Sequence, residues 1–232
     1  MTNPMCKTGE PGPNGMGAEK HNQHSLVLLI ALLFFLVLSA FVRDDWISQV
    51  VVALAMFAVL VVATLKISDR RTLPWPALLL TTCSLLITLI CVFRPIHTLR
   101  IANWLFLCIF LGYVSVAHFS FLERSGAIMR AKLDACLGLY LILGMFYYAI
   151  FNLMQEIHPG SFMEATPNPI QASRHSLLYF SVATLTTVGY GDVVPVSRPA
   201  RMIAALEAVT GVFYIAITVA RLVAGYQQKA RV

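Results

Sequence analysis

Six apolar stretches of membrane-spanning length constrain this chain more than any other feature. Each is close to the ~20 residues that an α-helix needs to cross the hydrocarbon core of a bilayer. They cover residues 25–42, 46–67, 73–93, 101–122, 133–157 and 202–226. Hydrophobic residues make up 58% of the chain and charged residues 12%, against about 45–50% and about 25% in soluble domains. The sequence therefore predicts an all-α membrane protein with six transmembrane helices.

The segment between the fifth and sixth stretches is too short and too interrupted to cross a membrane. It contains a Pro- and Gly-rich part at 158–173, a short helical run at 174–186, and Thr-Val-Gly-Tyr-Gly-Asp at 187–192. Ser173 is a candidate N-cap for the short helix, which Arg174 would begin. Non-helical backbone at membrane depth is tolerated only where protein buries it or it lines an aqueous path. We therefore expect a re-entrant pore helix followed by a loop.

The loop at 187–192 contains the residue types that a backbone ion site requires. Gly189 and Gly191 flank Tyr190 and permit positive φ angles, which β-branched residues resist. Alternating conformations would turn successive carbonyls towards one axis, where they and the Thr187 hydroxyl could replace the water shell of an ion. One strand cannot close a ring, so four copies of the chain are needed.

Residues 133–226 resemble the outer helix, pore helix, filter and inner helix of the tetrameric potassium channels, whose filters carry Thr-Val-Gly-Tyr-Gly. The sequence Tyr-Phe-Ser-Val-Ala-Thr-Leu before the filter, and Leu-Glu-Ala-Val-Thr-Gly in the last stretch, are most similar to small prokaryotic channels of the two-helix type. The resemblance implies a homotetramer that conducts K⁺ passively, without an organic cofactor. The implied filter residues, of which the first four coordinate K⁺, are Thr187, Val188, Gly189, Tyr190 and Gly191.

The resemblance also implies roles for residues beside the filter. Asp192 would concentrate cations at the outer mouth, although it could also be a simple turn residue. Tyr179 and Phe180 stand where many relatives carry a tryptophan pair, and would form an aromatic cuff around the filter. The Tyr179 hydroxyl is then a candidate partner for Asp192, with plain pore-helix packing as the alternative. Ala183 replaces a buried glutamate of some relatives, so the pair between that glutamate and the filter aspartate cannot form here.

The last apolar stretch contains a second group of candidate residues. Glu207 is acidic and intramembrane, where such a group is functional or at least paired. We expect it behind the filter, bonded to the pore helix, where Thr184 and Thr186 also pack. Gly211 would serve either as a gating hinge or for close helix packing. Three residues that recur on one helix face are expected to form an apolar cavity wall: Val212, Ile215 and Val219.

The distribution of basic residues predicts the topology. If the N-terminus is cytoplasmic, the loops place eleven Lys and Arg residues inside and six outside, in agreement with the positive-inside rule. The inside residues are Lys7, Lys20, Lys66, Arg70, Arg71, Arg124, Arg130, Lys132, Arg221, Lys229 and Arg231, and the outside ones are Arg43, Arg94, Arg100, Arg174, Arg198 and Arg201. Both termini would be cytoplasmic and the filter mouth would face outwards, in a plasma (inner) membrane.

The same division suggests three regions and the absence of a conventional voltage sensor. Residues 1–24 form a disordered polar tail, 25–123 a four-helix membrane domain and 124–232 the pore domain. A voltage sensor needs charges within the membrane, each contributing about 2.3 kcal/mol per 100 mV. The fourth stretch contains no Arg, Lys, Asp or Glu. Arg94 and Arg100 precede it, and His118 within it is expected to be packed and neutral. His175, at the outer end of the pore helix, is a weak candidate for sensing external pH.

Two alternatives to a self-sufficient channel stay open. One is a subunit of an active K⁺ uptake system, but such proteins usually carry four degenerate pore loops in one chain. The other is a regulatory subunit that joins other tetramers. An enzyme is not expected, because the sequence offers no intramembrane nucleophile–base pair or metal-ligand set. The expected partners are K⁺, the lipid bilayer and three further copies of the chain; the net charge of +6 is explained by topology and not by nucleic acid.

Overall fold

The computed structural model describes residues 27–39, 41, 46–67, 75–93, 96–124, 129–166 and 170–230. The tail predicted at 1–24 lies outside the described residues. So do several basic residues that entered the topology prediction: Lys7, Lys20, Arg43, Arg70, Arg71, Arg94 and Arg231.

The described chain is mostly helical, with one small sheet. Its helices are α1 (Val27–Ser39), α2 (Trp46–Ile67), α3 (Trp75–Phe93), α4 (His97–Arg124), α5 (Met129–Ile157), α6 (Arg174–Leu185) and α7 (Arg198–Ala230). Its strands are β1 (Phe162–Glu164) and β2 (Ile170–Gln171), which precede α6, and β3 (Val193–Pro195), which follows it.

Three helices are long and apolar enough to cross a bilayer, within the part of the chain that the structure describes. Their spanning segments are His97–Phe119, Leu133–Ile157 and Arg198–Ala224. The described apolar segments of α1, α2 and α3 are shorter, at Val27–Ser39, Ala53–Val62 and Thr81–Cys91. A total of six spans therefore stays a prediction.

Helix α4 begins earlier than the hydropathy pattern predicted. It starts at His97, whereas the apolar stretch begins only at Ile101, because the polar first turn belongs to the same helix. Arg100 thus lies inside the helix and not before it. This turn carries Arg100 to the C-terminal end of α5, where it meets a carboxylate.

The core forms where α4 and α5 pack along each other. On α4 the buried residues Leu107, Leu111 and Val114 are spaced so that they share one helix face. On α5 the same spacing buries Ile142, Met145 and Ala149. The pore helix α6 packs against α5 and α7, so the two long helices form the walls that hold it.

The small sheet is an element that the all-α prediction missed. Its strand order is β2-β1-β3, with both pairs antiparallel. β1 pairs with β3 through Glu164 opposite Val193 and Phe162 opposite Pro195. Strands of two or three residues are too short to show a period-two pattern, which is why this part of the sequence suggested only an irregular Pro- and Gly-rich segment. Because β3 directly follows Asp192, the sheet joins the C-terminal end of the loop at 187–192 to the chain that leads into α6.

Candidate functional site

The N-terminus of the pore helix is capped and tied to the sheet. Ser173 is the N-cap, with φ −71° and ψ 169°, and its Oγ accepts a hydrogen bond of 3.1 Å from the Ser176 amide. Arg174 is the first helical residue, so both sequence predictions for this helix start are confirmed. The Ser176 hydroxyl in turn lies 2.5 Å from a carboxylate oxygen of Glu164 in β1. The start of α6 is therefore held in place by side chains as well as by its backbone.

The other end of the pore helix is fixed by α5. The helix ends at Leu185 with Thr186 as its C-cap. The Leu185 carbonyl accepts a 2.9 Å hydrogen bond from the Tyr140 hydroxyl of α5. The Thr186 hydroxyl donates a hydrogen bond of 2.7 Å to the Val182 carbonyl, one turn earlier in the helix. Tyr140 was not among the residues singled out from the sequence, since an aromatic residue in an apolar helix carries no mark of its partner.

The filter loop alternates between two backbone conformations. Positive φ angles occur at Thr187 (60°), Gly189 (53°) and Gly191 (80°), while Val188 and Tyr190 do not have them. The two glycines were expected to adopt this conformation because they lack a Cβ atom. Thr187 was not, because the left-handed region is a genuine outlier for a β-branched residue. The Thr187 amide donates a hydrogen bond of 2.9 Å to the Thr184 carbonyl. This bond holds Thr187 against the last turn of the pore helix.

Hydrogen bonds orient the loop so that its amides point back into the pore helix. The amides of Val188 and Gly189 both lie within hydrogen-bonding distance of the Ala183 carbonyl, at 2.8 and 3.3 Å. No hydrogen bond ends on the carbonyl oxygens of residues 187–191 anywhere in the described chain. A row of carbonyl dipoles without internal partners can ligate a dehydrated cation. This is the chemistry that the arrangement offers.

The two aromatic residues expected to form a cuff point in different directions. Tyr179 stacks on Tyr190 of the filter, with ring centroids 6.2 Å apart and an interplanar angle of 15°. Phe180 is buried and instead contacts Phe151 of α5 and Phe162 of β1, with ring centroids 5.3 and 5.5 Å from its own. Tyr179 therefore lies beside the filter, whereas Phe180 anchors the pore helix to α5.

Asp192 makes the contact of a turn residue, and its role at the mouth of the filter stays a prediction. Its Oδ1 accepts a hydrogen bond of 3.1 Å from the amide of the following residue, Val193, as the side chain of a turn residue does. Desolvation, a hydrogen bond with the Asp192 carboxylate and the negative charge of that carboxylate raise the pKa of Tyr179 above its ordinary value. The Asp192 carbonyl also accepts 2.7 Å from the Ala165 amide next to β1. The C-terminal end of the filter loop is thus held on two sides.

Glu207 is fully buried and meets the pore helix through Ser181. The Ser181 Oγ lies 2.5 Å from Glu207 Oε1 and 2.8 Å from the Gly144 carbonyl of α5. A hydroxyl has one proton and a carbonyl can only accept. Both contacts can be hydrogen bonds at once only if Glu207 is protonated and donates to Ser181. Glu207 Oε2 has no hydrogen-bond partner among the described residues, an arrangement that suits a neutral acid better than a buried carboxylate.

Gly211 provides close packing between α7 and the pore helix. A Cβ atom at this position would overlap the Leu185 carbonyl oxygen and lie 3.0 Å from its carbon. Helix α7 continues without interruption from Arg198 to Ala230. This close approach fits the packing role weighed for Gly211, and its role as a gating hinge stays a prediction. The end of the pore helix is enclosed between Tyr140 and Gly211.

In a single chain, the residues of the expected cavity wall on α7 are no more exposed than residues on its other faces. Val212, Ile215 and Val219 are each about half exposed. Phe213 and Ile217 on other faces are equally so. Their orientation towards a cavity stays a prediction.

Three remaining candidates occupy separate places. His118 is buried, with Nδ1 3.1 Å from the Val114 carbonyl in its own helix. The Arg221 guanidinium lies 5.7 Å from the ring centre of Phe119, which connects α7 to α4. His175 is half-buried near the start of α6.

The similarity to known proteins falls on this same part of the chain. A family model described as "Ion channel" matches residues 135–228. Inward rectifier potassium channel Kirbac3.1 of Paramagnetospirillum magnetotacticum is 29% identical over 93 residues, which cover 38% of this chain and 28% of that protein. Potassium channel protein kcv of Paramecium bursaria Chlorella virus 1 is 34% identical over 80 residues, which cover 33% of this chain and 84% of that protein. No solved structure is significantly similar to the chain.

The matched region contains α5, α6, the filter loop and most of α7. The alignment spans little more than a quarter of the first relative but most of the second. What is shared is therefore the pore-forming unit, an ion channel domain in a protein with membrane-spanning helices. By its filter loop and by these similarities, the chain belongs to the potassium channel family.

Proposed function

We propose that the chain is the subunit of a K⁺-selective channel in which four copies surround one conduction axis. Each copy contributes the carbonyls of Thr187, Val188, Gly189 and Tyr190, together with the Thr187 hydroxyl. The observation that carries this proposal is the alternation of positive φ at Thr187, Gly189 and Gly191, which leaves consecutive carbonyls free for an ion. K⁺ is the transported ion and not a resident cofactor.

The exposure of the filter in a single chain supports assembly from several copies. Val188 is 51% and Tyr190 is 73% exposed, although both are apolar or largely apolar. Exposed apolar residues also cover much of α7, among them Met202, Leu206 and Phe213. Three further copies and the lipid would cover these surfaces.

Electrostatics support cations as the conducted species. The C-terminal end of the pore helix leads directly into the filter, and a helix C-terminus carries about half a negative charge. Four such ends would favour a cation beneath the filter. The Asp192 carboxylates would raise the local cation concentration at the other end.

We further propose an arrangement of the whole chain around this pore. Both termini are cytoplasmic and Asp192 faces outwards, in a plasma (inner) membrane. Residues 25–123 form a four-helix membrane domain and 124–232 the pore domain. Conduction is passive. The protein lacks a conventional voltage sensor, since residues 101–122 contain no Arg, Lys, Asp or Glu. The protein acts as a channel and not as an enzyme.

Reconstitution of the purified full-length chain into liposomes tests the proposal. We expect a reversal potential that follows the K⁺ gradient and not the Na⁺ gradient. Gly189→Asp should abolish this current while the oligomer still forms in detergent. A protein that gives no K⁺-selective flux on its own contradicts the proposal and favours a subunit of an active uptake system or a regulatory subunit.

A further inference from the structure

Three helices meet at one carboxylate on the outer side of the pore domain. Glu156, at the end of α5, has Oε2 3.2 Å from the Arg100 Nε of α4 and Oε1 3.7 Å from an Nη of Arg174. Arg174 is the first residue of the pore helix. The Glu156 side chain is 17% exposed, against 33% for Arg100 and 44% for Arg174. The shared acid is thus the most enclosed member of the cluster.

The pore helix also contacts α4 directly at this point. The Arg174 guanidinium carbon lies 5.7 Å from the ring centre of Trp104, which is within the range of a cation–π interaction. Trp104 is 8% exposed and meets Tyr148 of α5 edge-on, with ring centroids 5.5 Å apart. The indole cannot move without disturbing α5, so it offers Arg174 a fixed surface.

A backbone contact fixes the start of α4 in the same cluster. His97 Nε2 lies 2.8 Å from the Glu156 carbonyl oxygen. The first turn of α4 therefore holds Glu156 through its backbone and, by Arg100, through its side chain. A displacement of α4 would move the carboxylate that Arg174 faces.

We propose that Glu156 is a positioning residue through which helix α4 sets the position of the pore helix and thereby the opening of the filter. This proposal rests on the proposed function. Helix α6 is 12 residues long, or about 18 Å, and its far end leads directly into Thr187. A capped helix of this length moves as a rigid rod, so a shift at Arg174 reaches the filter. The cluster gives α4 a role that needs no membrane-embedded charge.

The chemistry of the cluster makes it sensitive to single substitutions. One enclosed carboxylate separates two guanidinium groups that would otherwise repel each other. Replacing Glu156 by Gln keeps the side-chain shape but removes the charge that both arginines face. Replacing either arginine by Gln removes one of the two ion pairs of Glu156 and leaves the other.

Single-channel recording of the reconstituted full-length chain tests the coupling. The measured quantity is the ratio of open to closed time, which needs no separate assay of folding because only assembled channels report it. We expect Glu156→Gln, Arg174→Gln and Arg100→Gln each to change this ratio in the same direction by about 5-fold or more, the lower range of known couplings between sites. The double variant Glu156→Gln/Arg174→Gln should change it no further than Glu156→Gln does, because contacting residues are not additive.

The contrary results are equally specific. Effects that multiply in the double variant, or an Arg100→Gln channel that opens as the wild type does, would overturn the link from α4 to the pore helix. Arg198→Gln is the matched control, since Arg198 is an exposed arginine at the start of α7. An equal change in that control would assign the effect to surface charge and overturn the proposal.

Two further arms keep the test decisive. If Glu156→Gln does not assemble, Arg174→Lys and Arg100→Lys retain the charge but lose the planar guanidinium, and should shift the ratio in the same direction by less. Ratios equal to the wild type in both lysine variants would overturn the proposal. A wild-type protein without K⁺ current contradicts the proposed function itself, whereas a conducting wild type with unaffected variants contradicts only the coupling.

Discussion

The Leu185 carbonyl at the end of the pore helix lies against Gly211 of α7 with no room for a side chain between them. The same carbonyl accepts a hydrogen bond from Tyr140 of α5. The last residue before the filter turn is therefore clamped between the two long helices of the pore domain. Any change in the separation of α5 and α7 at this level acts on the filter base.

Gly211→Ala should weaken both stability and conduction. The added methyl group overlaps the carbonyl, and overpacking of this kind typically costs about 1–3 kcal/mol. Thermal unfolding of the detergent-solubilised oligomer and K⁺ flux would measure the two effects. Gly138→Ala is the matched control, because a Cβ there lies at an ordinary 3.8 Å from Leu28. Equal stability and flux in the two variants would contradict the clamp.

Glu207→Gln should be tolerated, whereas Ser181→Ala should not. If Glu207 is a neutral acid, its amide replacement still donates to Ser181, and the free energy of unfolding should change less than in Ser181→Ala. Removing the Ser181 hydroxyl leaves buried polar groups without that partner, at a cost of about 1–3 kcal/mol. Denaturation of the purified protein compares the two.

The control for this pair is Ser115→Ala, because among the described residues the Ser115 hydroxyl bonds only within its own helix, at 2.8 Å from the Leu111 carbonyl. It should cost less than Ser181→Ala. A Glu207→Gln variant that loses as much stability as Ser181→Ala would show that Glu207 is ionised.

Gly189→Ala should remove K⁺ selectivity through the backbone and not through a clash. No described residue of the same chain lies within 4 Å of a Cβ at this position, but φ is +53°. The left-handed conformation costs an L-residue about 1–2 kcal/mol, and relaxing it would turn a filter carbonyl. Gly160 has φ +85° and equally open surroundings but lies outside the filter. Gly160→Ala should bear a similar strain and keep its selectivity, as measured by K⁺/Na⁺ reversal potentials; loss of selectivity in both variants would argue against a specific role of the filter carbonyls.

Tyr179 and Phe180 should separate in their effects although they are adjacent. Tyr179→Leu removes a ring pair with Tyr190, which is worth about 0.5–1.5 kcal/mol, and should lower selectivity. Phe180→Leu removes contacts with Phe151 and Phe162, and should lower thermal stability without changing selectivity. Tyr179→Phe keeps the stack but loses the hydroxyl beside Asp192. A selectivity loss in Phe180→Leu equal to that in Tyr179→Leu would restore the idea of a common cuff.

Local sequence signals predicted the parts of the fold that depend on local physics. Ser173 and Arg174 mark the start of the pore helix because an N-cap needs only its own neighbours. Gly189 and Gly191 indicate positive φ because they lack a Cβ atom. The lengths of two apolar stretches predicted the spans at Leu133–Ile157 and near Arg198–Ala224, since whether a helix can span a membrane depends on its length and composition.

The remaining features depend on contacts between distant residues. Thr187 adopts a conformation that its side chain disfavours, because the helix end and the backbone bond to Thr184 impose it. The direction of Phe180 depends on Phe162, which lies in a strand too short to detect. Glu156 and Arg100 are separated along the chain by nearly all of α4 and α5, and no pattern in the sequence shows that they meet.

The pairing of Glu164 with Val193 has a consequence for how the protein is made. It closes a loop of about thirty residues that contains the whole pore helix and filter, and loops of that length cost little more entropy to close than shorter ones. A newly synthesised chain can therefore complete this loop alone, before it encounters its neighbours. Oligomerisation would then bring together filter loops whose backbone is already folded, so the slow, concentration-dependent step of biogenesis would assemble the ion site without having to fold its loops.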